Sequence, residues 1–440
     1  MKAISNWFQN VFSPALAKFS NMKYMLALRD GMIITVPFTI FGSIFMILAN
    51  LPIPGWTQLV APYQAKLQSA VSITFGIIAV IVAIGMSHEM AKLNKIDTLT
   101  GTAIGVSAFL LCMLNDKLQI DPATLGSDGM FTAIIVSIVS SEIVAFFIRR
   151  HIVITLPDSV PPAVAGSFVA LIPACASLGF FWIIRVFFNI KINAIIQAIF
   201  SPLVVGLNSF WGFELVLFLT LILWTVGIHG NNVIGAVASP IYGYFLMSNI
   251  SDAAKGIAPT HITADGFLDF GMNIGGTGAI LALVICCLLF AKSKRYKQLA
   301  RLGAVPSIFQ ISEPIMFGLP VVLNPTLSIP FVIVPMVLQG ITYFLMKAHM
   351  LNMVIAQVPW TTPIFVNGYL ITGGDWRAPV WQLIELVIAI AVYLPFFKVI
   401  DHAAYKQEHE EELQQAVEKT SEKSVTDTGT APINAQPQNV

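Results

Sequence analysis

Long apolar stretches alternate with short polar ones along most of the chain. Each apolar stretch has about 20 residues, the length that a helix needs to cross the hydrocarbon core of a bilayer. The pattern predicts about ten transmembrane helices, at 30–50, 70–92, 99–115, 130–148, 165–188, 212–229, 232–249, 276–292, 326–346 and 378–400. The expected fold is therefore an all-α polytopic membrane protein.

Three segments between the later spans are too broken by proline, glycine and polar residues to cross the membrane as single helices. They lie at 250–275, 308–325 and 350–375. Irregular backbone at membrane depth is tolerated only where it is buried in protein or lines a polar cavity. In transporters such discontinuous elements tend to form the substrate site. We therefore expect re-entrant hairpins around a binding site.

Polar and apolar positions also predict how the chain is divided. Residues 1–29 place apolar side chains at helical spacing, which is typical of an amphipathic helix at the membrane surface. Residues 189–211 are apolar but interrupted by polar residues, which indicates an interfacial connecting helix. The connecting helix separates two membrane modules, at 30–188 and 212–403. Residues 404–440 have little to bury and are expected to form a short extension of the last helix and then a polar, largely disordered cytoplasmic tail.

Composition excludes a water-soluble protein. The chain is 56% hydrophobic and 11% charged with a mean hydropathy of +0.78, whereas soluble domains carry about 25% charged residues. The net charge of +1 and the lack of a basic stretch interleaved with aromatics give no reason to expect nucleic-acid binding. The four cysteines form no C-x-x-C pair, so no metal or redox site is expected.

The distribution of basic residues predicts the orientation. With ten crossings, most of the 24 lysines and arginines fall on the same side as the N-terminus. Basic residues are enriched in cytoplasmic loops. Both termini are therefore expected to be cytoplasmic, and the segment 308–325 then enters the membrane from the cytoplasm.

Glu313 is the first candidate for chemistry. It lies in Ser312-Glu313-Pro314, which reads as a helix start because proline suits a first helical turn. One interpretation is that its carboxylate caps this helix. The other is functional, because a carboxylate within an apolar, proline-broken segment is costly to bury and usually marks a site.

His229 is the second candidate, in Gly227-Ile228-His229-Gly230. Asn231 follows it and Trp224 precedes it, and amides beside an aromatic plane suit the hydroxyls and apolar face of a sugar. Trp360 repeats the pairing of an indole with hydroxyl side chains, although an interfacial anchor is an equally good interpretation. Among the remaining polar residues within spans, paired structural roles are expected for Glu142, Arg185 and Glu385.

The chain resembles the membrane permease, enzyme IIC, of the bacterial phosphoenolpyruvate-dependent sugar phosphotransferase system (PTS), in its lactose/cellobiose/chitobiose branch. The likeness covers about residues 5–400. The motifs that carry it are Leu156-Pro157-Asp158-Ser159-Val160-Pro161-Pro162-Ala163-Val164, Gly227-Ile228-His229-Gly230, and Ser312-Glu313-Pro314 continuing to Phe317-Gly318 and Asn324-Pro325.

This resemblance implies a homodimer of ten-span protomers in the bacterial cytoplasmic membrane, with the first module forming the dimer and the second binding a disaccharide. It implies that Glu313 lies against the sugar hydroxyl that is phosphorylated, with His229 as its neighbour. Trp224, Asn231 and Trp360 are then expected to contact the sugar. The phosphoryl donor is expected to be a phosphocysteine on a separate enzyme IIB, and no cofactor, metal or nucleotide site is expected in this chain.

The residues alone leave other classes of function open. One carboxylate and one histidine can couple sugar uptake to a proton or sodium ion, so an ion-coupled symporter is the main alternative. A passive channel is a third possibility. The family motifs favour phosphotransfer.

Overall fold

We analysed a computed structural model, which describes Lys18 and residues 22–50, 55–157, 162–319, 321–322 and 324–427. Most of the predicted amphipathic helix at 1–29 lies outside the described residues. So do residues 158–161 of the first family motif and the end of the predicted tail, from 428 onward.

Helices make up most of the described residues, and no β-strand occurs among them apart from one isolated bridge. The helices are α1 (Lys23–Ile33), α2 (Thr35–Asn50), α3 (Trp56–Val60), α4 (Gln64–Thr74), α5 (Ile78–Leu93), α6 (Thr98–Cys112), α7 (Met130–Arg149), α8 (Pro162–Trp182), α9 (Ile192–Leu207), α10 (Phe210–Thr225), α11 (Gly230–Ala254), α12 (Ile280–Phe290), α13 (Lys294–Ile308), α14 (Glu313–Gly318), α15 (Pro325–Lys347), α16 (Val366–Ile371) and α17 (Arg377–Asp427).

Seven helical stretches of the described chain are long and apolar enough to cross a membrane: Lys23–Ala49, Gln58–Leu93, Ser127–Arg149, Phe168–Phe187, Gly230–Ala254, Pro325–Lys347 and Arg377–Gln414. An eighth results if α9 and α10, which meet at 75°, form one broken span. The all-helical membrane fold is confirmed. The number ten stays a prediction, since α12 has 11 residues. At 1.5 Å per residue α12 is about 16 Å long, roughly half the hydrocarbon core.

Small side chains allow the helices of the first module to approach closely. A Cβ on Gly105 would lie 2.1 Å from Oγ of Ser87, and one on Gly85 would lie 2.1 Å from the Gly31 carbonyl oxygen. The Ser87 hydroxyl also donates to Ser137 at 2.9 Å. Glycine and serine at helix contacts are typical of membrane bundles, because close packing replaces the hydrophobic effect there.

The polar side chains within this module have structural partners, as the sequence predicts. Arg185 is 1% exposed and donates to the carbonyl oxygens of Leu114 and Asn115 and to Asn189 Oδ1. Its guanidinium is therefore satisfied without a substrate. Glu142 likewise accepts hydrogen bonds from Lys23 and Asn94, and Glu385 in the second module accepts one from Thr342 at 2.7 Å.

Helix α17 extends further than the sequence analysis expects. It runs from Arg377 to Asp427, so the described part of the predicted disordered tail continues the last span as helix. Glutamate, lysine, glutamine and alanine dominate this extension, and all have high helix propensity. The extension also packs against the start of α13. Glu408 accepts hydrogen bonds from the N–H groups of Lys294 and Arg295, and Asp401 accepts from those of Lys292 and Ser293 just before the helix.

Candidate functional site

His229 lies at the junction between α10 and α11. Gly227 has φ +86°, a left-handed conformation that glycine adopts without strain. A Cβ on Gly230 would lie 2.0 Å from the Thr220 carbonyl oxygen, so only glycine fits where α11 starts against α10. His229 is the N-cap of α11. The two glycines therefore hold the imidazole at a sharp turn between two helices.

A backbone hydrogen bond determines the tautomer of His229. The N–H of Asn232 donates to Nδ1 at 3.3 Å, so the proton of the neutral imidazole is on Nε2. That nitrogen lies 4.0 Å from Oε1 of Glu313. The side chains of His229 and Glu313 are 41% and 46% exposed, so both remain accessible to a ligand.

Trp224 packs against the His229 member of this pair. Its ring centroid is 4.3 Å from that of His229, and its indole N–H donates to Asn231 Oδ1 at 2.8 Å. Trp224 is only 2% exposed, so in this conformation its ring does not present the open face for a sugar that its residue type suggests. A sugar contact of Trp224 stays a prediction. Because the oxygen of Asn231 is used by the indole, its NH₂ group is left for a ligand.

Glu313 is the first residue of α14. The predicted capping interaction is not seen, because its carboxylate accepts no backbone hydrogen bond within the described residues and Ser312 is the N-cap. The short helix is fixed by buried Ile315 and Met316. Ile315 packs on Gly303 of α13, where a Cβ would lie 2.2 Å from Ile315 Cδ1. Helix α14 is therefore anchored, while the Glu313 carboxylate accepts no hydrogen bond within the described residues.

Gln310 connects the three broken segments, a role that the sequence analysis missed. Its Oε1 accepts the backbone N–H groups of Gly275 and Gly276 at 3.0 and 2.9 Å. Its Nε2 donates to the Thr362 carbonyl oxygen at 3.3 Å. The signal in the sequence is an amide within an apolar run, three residues before Glu313.

Asp269 forms a second connection between these segments. Its carboxylate accepts from Asn273 at 2.9 Å and from Asn367 at 3.0 Å. Gln382 of α17 donates to the Asp269 carbonyl oxygen at 3.0 Å and accepts from the Phe365 N–H at 2.8 Å. The sequence analysis did not single out any of these residues, because their contacts join positions far apart in the chain.

A cavity of about 270 Å³ lies between α1, α2 and α11, and Asn231, two residues after His229, is part of its lining. Its polar lining includes Asn231, Asn232, Ser239, Asp265 and Gln357. Gln357 donates to Asp265 at 3.2 Å, and its backbone N–H donates to Ser43 Oγ of the first module at 2.7 Å. The cavity therefore lies where the N-terminal helices α1 and α2 meet α11 and Gln357, and its amides and carboxylate suit the hydroxyl groups of a ligand.

Trp360 is the most exposed of the predicted site residues. It is 67% exposed, and no hydrogen bond or ring contact in the described chain joins it to His229 or Glu313. The structure thus brings together Glu313, His229, Trp224 and Asn231. In the residues that the structure describes, no group of three or more His, Cys, Asp or Glu side chains is placed to hold a metal ion.

The helical fold with its apolar spans defines a multi-pass membrane protein. The family model "Phosphotransferase system, EIIC" matches residues 29–335. The lichenan permease IIC component of Bacillus subtilis is 36% identical, covering 96% of this chain and 99% of the relative. The cellobiose-specific EIIC component of Geobacillus stearothermophilus is 37% identical, covering 88% of this chain and 92% of the relative.

The solved structures include a similar fold. The crystal structure of the transporter ChbC, the IIC component from the N,N'-diacetylchitobiose-specific phosphotransferase system, has a TM-score of 0.86 and 36% identity, covering 92% of this chain and 99% of that one. The chain belongs to the EIIC permease family of the phosphotransferase system. An ion-coupled symporter is not supported.

Proposed function

We propose that the chain carries a disaccharide of the β-glucoside type, such as cellobiose, chitobiose or lactose, across the bacterial cytoplasmic membrane while a separate enzyme IIB phosphorylates it. The relatives named for cellobiose and lichenan and the chitobiose transporter support this substrate class. The amide and carboxylate groups that line part of the cavity beside Asn231 support a ligand with hydroxyl groups.

The observation that carries the proposal is the 4.0 Å gap between His229 Nε2 and Glu313 Oε1. The gap is too long for a direct hydrogen bond, but one sugar hydroxyl oxygen fits about 2.8 Å from both atoms. It would accept from the N–H of His229 and donate to the carboxylate of Glu313. The pair therefore selects and orients a single hydroxyl group.

The chemistry that follows is phosphoryl transfer from the phosphocysteine of enzyme IIB. The sugar hydroxyl oxygen attacks phosphorus, an O–P bond forms, and the S–P bond breaks to release the cysteine thiolate. Glu313 accepts the hydroxyl proton as a positioned base, and His229 holds the attacking oxygen in line. The charged product is trapped, because a phosphate group does not recross an apolar bilayer.

The same proposal includes the arrangement of the protein in the membrane. Both termini lie in the cytoplasm, the protomer crosses ten times, and residues 30–188 form a homodimer while 212–403 carry the sugar. The basic-residue distribution supports the orientation. The exposed apolar side chains of α8, among them Leu171 and Trp182, supply a surface for lipid or a second protomer.

The test is uptake of radiolabelled cellobiose into proteoliposomes. Sugar phosphate should form inside only when phosphorylated enzyme IIB is supplied. Accumulation of free sugar driven by a proton or sodium gradient would contradict the proposal and favour the symporter.

A further inference from the structure

Helix α13 leads directly into the hairpin that carries Glu313. Its buried side includes Ala300 and Gly303, which face the core of the second module. Gly303 packs on Ile315, two residues beyond Glu313. The opposite side of α13 is exposed along its whole length, so this helix joins the protein surface to the site.

The exposed side chains of α13 are basic in one half of the helix and apolar in the other. Its first half presents the basic side chains of Arg295, Lys297 and Arg301, all exposed. Its second half presents Leu302, which is 74% exposed, and Val305, which is 62% exposed. We call these five residues the α13 face; it lies on a helix about 22 Å long at 1.5 Å per residue.

The acidic extension of α17 neutralises only the first turn of α13. Glu408 accepts from the Lys294 N–H at 2.9 Å, and Glu412 pairs with the Lys294 ammonium at 2.8 Å. Lys297 and Arg301, one and two turns further along, form no ion pair in the part of the chain that the structure describes. The positive charge of the α13 face is therefore available to a partner.

We propose that the α13 face is the docking surface for phosphorylated enzyme IIB, an inference that rests on the proposed function. The donor must reach Glu313 beyond the C-terminal end of α13, and exposed Lys297 and Arg301 in the first half of the helix offer positive charge to acidic side chains on the surface of the donor. Leu302 and Val305 supply the apolar patch that a protein interface needs beside its charged rim. The apolar half is the end nearer to Glu313.

A membrane surface is the competing occupant, and the pattern of α13 favours the protein. A helix that lies in the interface keeps apolar side chains on one face and basic ones on the other along its length. In α13 the exposed basic residues lie instead in the N-terminal half, and the exposed apolar residues lie in the C-terminal half. The basic half is also tied to the polar extension of α17 through Asp401 and Glu408.

The test uses the full chain in proteoliposomes and purified phosphorylated enzyme IIB of the cellobiose class. The variant is Lys297→Glu with Arg301→Glu, and the matched control is Lys92→Glu with Arg150→Glu, an exposed lysine and arginine of the first module. The half-saturating concentration of IIB should rise roughly tenfold in the variant and stay unchanged in the control. Cellobiose binding should be unchanged in both, and added salt should weaken IIB saturation less in the variant than in the unmodified protein.

A second variant, Leu302→Ser with Val305→Ser, should also raise the half-saturating concentration of IIB, because both side chains are exposed and the fold does not depend on them. Unaltered IIB saturation in both variants, with normal turnover by the unmodified protein, would overturn the docking surface alone. An effect that appears only in anionic vesicles and leaves IIB saturation unchanged would assign α13 to the membrane instead. Absence of sugar phosphate with the unmodified protein would overturn the proposed function and the docking surface with it.

Discussion

His229 Nε2 lies 4.0 Å from Glu313 Oε1, and each residue stands at the beginning of a helix. His229 caps the 25-residue α11, whose N-terminus carries a partial positive charge. In the proposed function this charge favours a phosphoryl group that approaches the sugar hydroxyl. The starts of α11 and α14 therefore bring an imidazole and a carboxylate to one place.

Gly276→Ala should displace Glu313 from His229 by straining the backbone around Ser312. Gly276 has φ +99°, and a Cβ there would lie 2.7 Å from both the Gln310 carbonyl oxygen and Ser312 Cβ. We expect a stability loss of about 1–3 kcal/mol and slower phosphotransfer, because Ser312 precedes Glu313. Thermal unfolding and turnover measure both effects. Gly179→Ala is the control, since nothing lies within 4 Å of its Cβ position; an equal loss in both variants would count against a local cause.

Trp224→Phe should weaken sugar binding while the fold is retained. The variant removes the indole N–H that holds Asn231 at 2.8 Å, so the amide loses its fixed orientation toward the cavity. A hydrogen bond of about 1 kcal/mol corresponds to a roughly fivefold loss of affinity. Calorimetric titration with cellobiose measures it. Trp211→Phe, at an 80% exposed position, is the control and should bind normally. Equal affinity in all three proteins would show that Asn231 does not need this support.

Local sequence patterns predict the helices of this protein but not the long-range contacts around the candidate site. Length and apolarity locate the helices, because a membrane admits few other solutions for a long apolar segment. The connection of Gln310 to Gly275 and Thr362 depends on residues 35 and 52 positions apart, which no local pattern encodes. The sequence identifies Trp224 as a candidate because it precedes the Gly227-Ile228-His229-Gly230 motif. Whether its ring faces a ligand or the core is decided by tertiary packing, which the local sequence does not encode. The full helical length of the α17 extension is not predicted from the sequence because the extension buries little apolar surface, although its residues favour helix.

Glu408→Ala should loosen the start of α13. Glu408 accepts from the Ser293 hydroxyl at 2.6 Å and from the Lys294 and Arg295 N–H groups at 2.9 and 3.1 Å. Loss of such a cap costs about 1–2 kcal/mol locally. Hydrogen exchange in α13 should therefore accelerate. Glu410→Ala removes an exposed carboxylate of the same extension and is the control. Unchanged exchange in the Glu408 variant would refute the capping role.

Asp375→Asn should destabilise the protein at neutral pH but not at low pH. Burial alone raises the pKa of Asp375, but hydrogen bonds from Arg377 and from the Asn352 N–H outweigh it and hold the pKa below its ordinary value. A depressed pKa stabilises the fold above the unfolded value of about 3.9, and the effect is lost as the pH falls through the folded value.

The Tm difference between the Asp375→Asn variant and the unmodified protein should thus be largest at pH 7 and shrink below about pH 4. Glu410→Gln serves as a control at an exposed carboxylate that forms no hydrogen bond or ion pair within the described residues. A Tm difference for Asp375→Asn that is independent of pH would contradict the charge-based explanation.

The most direct test of the account is the Glu313→Gln variant, assayed for cellobiose binding and for sugar phosphate formation with phosphorylated enzyme IIB. Glutamine keeps the size and hydrogen-bonding capacity of the side chain but cannot accept the hydroxyl proton. The account predicts that phosphotransfer falls by roughly a hundredfold or more while the cellobiose Kd changes only slightly. Full coupled activity in this variant, with normal binding, would contradict the assignment of Glu313 as the base.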